Sequence, residues 1–180
     1  MSKMFIASDI HGDAQTTEKL LRRYRESGAE KLVLLGDVLY HGPRNDLPEG
    51  YAPKKVIELL NPFKNEILAV RGNCDVYSKL PLEESLQAED KSIFITHGHL
   101  YGVKSSTERL MYAGVEREAD IILFGHTHEG LCEYVDEECF GRPFYLVNPG
   151  SIAQPMYGNP TFAVIEIRNS DVLVSVAPLY

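Results

Sequence analysis

Five short motifs in this chain carry side chains able to do chemistry, and each directly follows an apolar run. Asp9 and His11 come after MFIAS, Asp37 after KLVLL, Asn73 after EILAV, His97 and His99 after SIFIT, and His126 and His128 after DIILF. Leaving His99 aside, these are four imidazoles, two carboxylates and one amide oxygen, a donor set that suits manganese, iron or zinc better than calcium or a thiolate knot. Seven donors exceed what one ion takes up. Two ions about 3.5 to 4 Å apart and sharing a carboxylate would use them all and leave room for water and substrate. Asp37, alone on its loop behind Gly36, is the natural shared ligand. A lone histidine after a strand is more often a hydrogen-bonded core residue, and an aspartate there is often a helix cap, as Asp13 is expected to be. Five coincident loops outweigh those readings.

The runs that precede the motifs are near-continuous in Val, Ile, Leu and Phe, the pattern of strands in a sheet covered on both faces. Helical spacing falls between them. Thr17, Leu20, Leu21 and Tyr24 share a face over 14–28, with Asp13 as N-cap. PKKVIELL after Ala52 has Pro53 in its first turn, and Thr107, Leu110, Met111, Gly114 and Val115 share a third face, with Ser105 or Ser106 as cap. The first two-thirds therefore alternates strand and helix, an α/β arrangement whose ligand-binding edge lies at the carboxyl ends of the strands. The last third reads as strands GLCEYV, RPFYLVN, TFAVIEIR and DVLVSVA joined by turns such as Asn169-Ser170, with no helix and an antiparallel character. Two stacked sheets with helices outside reconcile the halves. No domain boundary interrupts 1–180.

At 180 residues, 44% apolar and 24% charged, the composition is that of a globular domain, with no low-complexity tract or repeat. A formal charge of -8 disfavours extended nucleic acid as a partner. The apolar run near Met1 is too short for a signal peptide core or a membrane span, so a cytoplasmic location is expected. Cys74, Cys132 and Cys139 are odd in number and contain no CxxC pair, which fits reduced thiols.

DIH, GD, GN, H and GHTH in this order resemble the signature of the calcineurin-like metallophosphoesterases, and the likeness spans nearly the whole chain. LYHGPRNDLPEGYAP, GNCD and NPGS look like the small bacterial phosphodiesterases of that family. The resemblance implies an α/β (α+β) four-layer sandwich of two mixed sheets flanked by helices. It implies one divalent ion on Asp9, His11, Asp37 and His128 and another on Asp37, Asn73, His97 and His126, manganese before zinc or iron. The expected activity is hydrolysis of small phosphodiesters by in-line attack of a hydroxide held between the ions. A phosphomonoesterase and a non-catalytic interaction scaffold on the same fold are the alternatives.

Cys74 marks a departure. A cysteine phosphatase would carry an arginine six positions on, where this chain has Leu80. In most of the family a histidine thought to protonate the leaving oxygen follows GN. A thiol there differs in reach and acidity, so esters with acidic, aryl-type leaving groups are expected substrates. Arg71 is a candidate for the substrate phosphate or a surface ion pair, and His99 for orienting His97 or a water. With Asp37, Asn73 and Cys74 they complete the expected catalytic set. The long 38–52 segment, carrying Tyr40, His41 and Arg44, is read as a substrate-facing or interface loop. With the apolar C-terminal strands it could build a homo-oligomer contact.

Overall fold

The computed structural model describes residues 1–180 as two five-stranded sheets packed face to face, with helices on both outer faces. The first sheet has the order β10-β9-β1-β2-β3, built from β1 (Ser2–Ala7), β2 (Lys31–Leu34), β3 (Ile67–Ala69), β9 (Thr161–Arg168) and β10 (Asp171–Pro178). The second has the order β4-β5-β6-β8-β7, from β4 (Glu83–Ala88), β5 (Lys91–Thr96), β6 (Ile121–Leu123), β7 (Gly130–Val135) and β8 (Phe144–Pro149). β1, β2 and β3 run parallel, as do β5, β6 and β8, while β9, β10, β4 and β7 pair antiparallel at the flanks.

Strand alternation distributes the apolar runs among three buried layers. Met4, Ile6, Val33, Ile93, Ile95, Ile121, Leu123 and Ile165 point between the sheets. Their neighbours Phe5, Ala7, Leu32 and Leu34 point outward onto α1 (Ala14–Ser27) and α2 (Pro53–Leu60). On the far side, Phe94, Ile122, Phe124 and Leu146 receive Leu110 and Ala113 of α3 (Glu108–Glu116). Both faces of the central strands are thus dry, which is why the sequence shows runs rather than alternation. Phe5 stacks on Phe162 with centroids 4.4 Å apart, tying β9 to the α1 side.

Local signals set most boundaries. Asp13 accepts from the backbone N of Thr16, and Gly28 closes α1 in the left-handed region. Pro53 opens α2. Asn169 and Ser170 both take positive φ in the two-residue β9–β10 turn. α3 starts later than its apolar face suggests, at Glu108, where Ser106 Oγ accepts from Glu108 N at 3.2 Å.

Three expectations for the chain need correction. β4 was not anticipated, because EESLQA sits on the sheet edge with only one inward side chain fully covered. β8 pairs parallel with β6, so the last third is not wholly antiparallel. It also contains a one-turn helix, α4 (Glu137–Phe140), capped by Asp136. No helix is long and apolar enough to cross a membrane.

Candidate metal centre

The loops after β1, β2, β3, β5 and β6 meet at one end of the sandwich and are stitched to each other by backbone bonds. Asp9 N donates to Gly36 O at 3.1 Å and His11 N to Asp37 O at 2.8 Å, joining the first two loops. Gly125 N donates to His97 O at 3.2 Å, joining the β5 and β6 loops, and Ile152 N to Ser8 O at 3.1 Å draws in the segment after β8. Asp9, His11, Asp37, His126 and His128 all adopt positive φ, between 49° and 70°. Such backbone is unfavourable for residues with a Cβ and clusters where function requires it. Gly72 needs its missing side chain, because a Cβ there would collide with the backbone N and carboxylate of Asp37.

Two groups of donors result. In the first, Asp9 and His11 are fully buried and His128 lies beside them. His11 Nδ1 is 2.9 Å from Tyr40 O and His128 Nδ1 is 2.6 Å from Gln154 O, acceptors that place the ring proton on each Nδ1. Both Nε2 lone pairs then face inward, 3.2 Å from each other. His128 Nε2 is also 3.2 Å from Asp9 Oδ1, a buried oxygen that accepts no hydrogen bond, whereas Asp9 Oδ2 accepts from Ser8 Oγ and His126 N. Three electron-rich atoms converge with nothing positive between them. A divalent cation fits that arrangement, and a proton is the only lesser remedy.

The second group repeats the pattern with Asp37, His97, His126 and Asn73. His97 Nδ1 lies 2.6 Å from Leu35 O, leaving Nε2 at 3.1 Å from Asn73 Oδ1 and 3.4 Å from Asp37 Oδ2. His126 closes the group with Asp37 and His97, its ring centroid 5.0 Å from that of His97. Asp37 lies between the groups. Its Oδ1 accepts from Cys74 N at 2.7 Å, and it also belongs to a third donor cluster with His11 and Cys74.

Burial alone would raise Asp9 and Asp37, but in the metal-free protein the imidazoles against them, His11 and His128 at Asp9 and His97 at Asp37, hold both carboxyls low when they carry a second proton. Burial would likewise lower His97, yet the hydrogen bond and charge of Asp37, with Asp9, lift it to about 9. His126 has too little carboxylate compensation, and burial plus the positive His97 and Lys104 bring it down to about 4. A histidine raised in the folded state contributes stability that is complete below its unfolded value near 6.5 and is lost as pH rises through the folded value. His126 titrates only below that window. Metal-free protein should therefore lose thermal stability between about pH 6.5 and 9. Metal-loaded protein should not, because coordination needs neutral imidazole. Thermal unfolding of chelator-treated and reloaded samples across pH checks this, and a flat metal-free profile would refute the His97–Asp37 assignment.

Side chains to which the sequence assigned no role hold the candidate donors in place. Asp75 accepts from three backbone donors, Asp37 N at 2.7 Å, Gly72 N at 3.0 Å and Val38 N at 3.1 Å, fixing the loops that carry Asp37 and Asn73. Asn148 Nδ2 donates to Gly125 O and Thr127 Oγ1, and Ser151 Oγ to Asp9 O. Asp75 and Asn148 lie inside GNCD and NPGS, so their positions were visible although their roles were not. His99 lies beside the second group, 5.3 Å from His97 between ring centroids, and burial lowers its pKa. Arg71 directs its guanidinium to Ser78 O at 3.5 Å rather than into the cavity above the candidate donors. Cys74 is buried, and Asn73 Nδ2 donates to its sulfur at 3.3 Å.

That cavity, about 550 Å³, is lined by Asp37, Asn73, Cys74, His126 and His128 together with the 38–52 loop and Lys104. Lys104 comes after no strand and carries no motif signal in the sequence.

Comparison with known proteins bears on the family and the fold. Residues 2–170 match the family model of the calcineurin-like phosphoesterase superfamily domain. The chain is 40% identical to Phosphodiesterase YfcE of Escherichia coli over 98% of its own length and 92% of that protein. It is 27% identical to the Probable metallophosphoesterase YsnB of Bacillus subtilis, over 95% and 88%. The solved structure of Yfce, described as a phosphoesterase from E. coli, superposes with a TM-score of 0.74 over 99% of this chain and all of that one, with 34% identity across the structural alignment. Vps29 of Entamoeba histolytica, solved as a complex with Zn2+, shares the fold at a TM-score of 0.68 and 20% identity over 99% of each chain.

Proposed function

Because the chain belongs to the calcineurin-like phosphoesterase superfamily, we propose that it is a metal-dependent phosphodiesterase acting on small phosphodiesters through a two-ion centre. The observation that carries this reading is the pair of donor groups, each with imidazole lone pairs aimed at carboxylate or amide oxygens and Asp37 lying between them. Asp9, His11, Asp37 and His128 would hold one ion and Asp37, Asn73, His97 and His126 the other. The donor chemistry favours manganese, with zinc or iron as alternatives. Bound there, two divalent ions supply Lewis-acid activation of water and charge stabilisation for the phosphoryl oxygens.

The protein's own part is positioning and proton control. The Nδ1 contacts of His11, His97 and His128 to backbone carbonyls lock their tautomers, so no ring has to reorganise during turnover. Asp9 and Asp37 stay ionised at any working pH. Cys74 occupies the cavity wall beside Asp37, and burial with the carboxylates of Asp37 and Asp75 pushes its thiol up to about 12. Such a thiol is a weaker general acid than the imidazole found there in relatives, which favours leaving groups that need little protonation.

Hydrolysis across diesters of graded leaving-group acidity tests the proposal. Rates should fall steeply from nitrophenyl to alkyl leaving groups, and Cys74→His should raise alkyl ester turnover, by up to about 10²-fold to 10⁴-fold for a well-placed acid. A flat dependence with chemistry rate-limiting would overturn the role given to Cys74. Faster hydrolysis of an aryl monoester than of the matching diester would replace the phosphodiesterase reading by a phosphomonoesterase one. The complete donor set weighs against a pure scaffold.

A further inference from the structure

The cavity above the ligands is larger and more positive than a simple phosphodiester requires. Its volume of about 550 Å³ is that of a site for a whole small molecule. Two of its walls carry cations: Arg44 from the long loop after β2 and Lys104 from the turn before α3. Neither takes part in an ion pair, so both charges are free to face a ligand. The only carboxylate on the cavity lining is Asp37, a proposed ligand. Lys104 is close enough to the centre for its charge to act on His126.

Charge counting shows what these cations are for. Two divalent ions less the charges of Asp9 and Asp37 leave the centre positive enough for the single negative charge of a diester. Arg44 and Lys104 add two further positive charges on side chains that are not proposed ligands, in a protein of net charge -8. The Arg44 loop is also held in place: Asn45 Nδ2 donates to His41 O at 2.7 Å, and Gln154 Nε2 to Asp46 O at 2.5 Å. Gln154 O in turn receives the His128 ring, so this loop and a proposed ligand share one anchor.

We infer that Arg44 and Lys104 form a second anion subsite, and that the substrate is a phosphodiester carrying an additional terminal phosphate. This deepens, and rests on, the phosphodiesterase reading. A dianionic phosphate matches two separate cations better than a carboxylate does, and an arginine fork with an ammonium satisfies several of its oxygens at once. Tyr40 and Val76 on the same lining give apolar surface for whatever links the two phosphates.

The test uses manganese-loaded protein and two substrates with one leaving group, thymidine 5′-(4-nitrophenyl phosphate) with and without a 3′-phosphate. The 3′-phosphorylated ester should show kcat/KM at least about tenfold higher. That ratio should fall toward one in the Arg44→Met/Lys104→Met double variant, and as salt rises from about 50 mM to about 500 mM. Equilibrium dialysis of thymidine 3′,5′-bisphosphate against thymidine 5′-monophosphate gives a readout without turnover, and the bisphosphate should bind about tenfold tighter to the wild type only. Equal treatment of the two ligands by the wild type, or a preference that survives in the double variant, would overturn the subsite. If neither ester is cleaved, the hydrolytic reading fails, and dialysis still decides whether the cations take a second phosphate.

Discussion

Asp37→Asn is expected to cut hydrolysis of bis(4-nitrophenyl) phosphate by more than about 10²-fold, since even residues behind a metal ligand are commonly worth 10- to 100-fold. The change is small in shape and large in charge. Asparagine keeps an oxygen where Asp37 Oδ1 accepts from Cys74 N, so the fold around the β2 loop should survive. It cannot supply the anionic oxygen that faces His97 Nε2 at 3.4 Å. Because Asp37 lies between both donor groups, the variant should lose affinity for both ions and not for one alone. Metal analysis after gel filtration should give well below the about two ions per chain expected of the wild type. Retained stoichiometry with activity within tenfold would remove Asp37 from its shared position.

The second large effect concerns a residue that touches no proposed ion. Asp75→Ala leaves the backbone N–H groups of Asp37, Val38 and Gly72 without the carboxylate that now receives all three. Each abandoned buried donor costs about 1 to 3 kcal/mol, so a loss of at least about 3 kcal/mol is expected for the three together. It should show as a fall in the urea midpoint with little change in slope. Activity should drop by about 10- to 100-fold under conditions where the variant is still folded, because Asp37 and Asn73 lose their common anchor. Asp75→Asn keeps one acceptor oxygen and should fall between the two. An alanine variant with an unchanged midpoint would show that the three bonds contribute nothing net.

The proposed ligands were legible in the sequence because each comes directly after a strand that announces itself as an apolar run. Asp9, Asp37, Asn73, His97 and His126 are carried to one end by chain direction alone, since parallel strands deliver their trailing loops to the same edge. Which oxygen or nitrogen faces which was not legible. The inward Nε2 atoms of His11 and His128 depend on carbonyls of Tyr40 and Gln154, on loops far from them in the chain. Asp75 reads as an ordinary turn residue until the β2 and β3 loops are seen to pass it. Lys104 belongs to no motif, and it reaches the cavity only because β5 and α3 are joined by a turn over the β6 loop. The same holds for β4, whose polar sequence becomes a strand through its pairing with β5.

The proposed ligands are divided between the two sheets. Asp9, His11, Asp37 and Asn73 come after strands of one sheet, while His97, His126 and His128 come after strands of the other, and each donor group draws on both. A ribosome-bound chain that has not yet produced His128, or a finished one whose halves have not docked, owns only fragments of either cage. Capture of metal at the proposed centre would then be a final event in maturation, and the loaded fraction of a preparation would count its correctly assembled molecules.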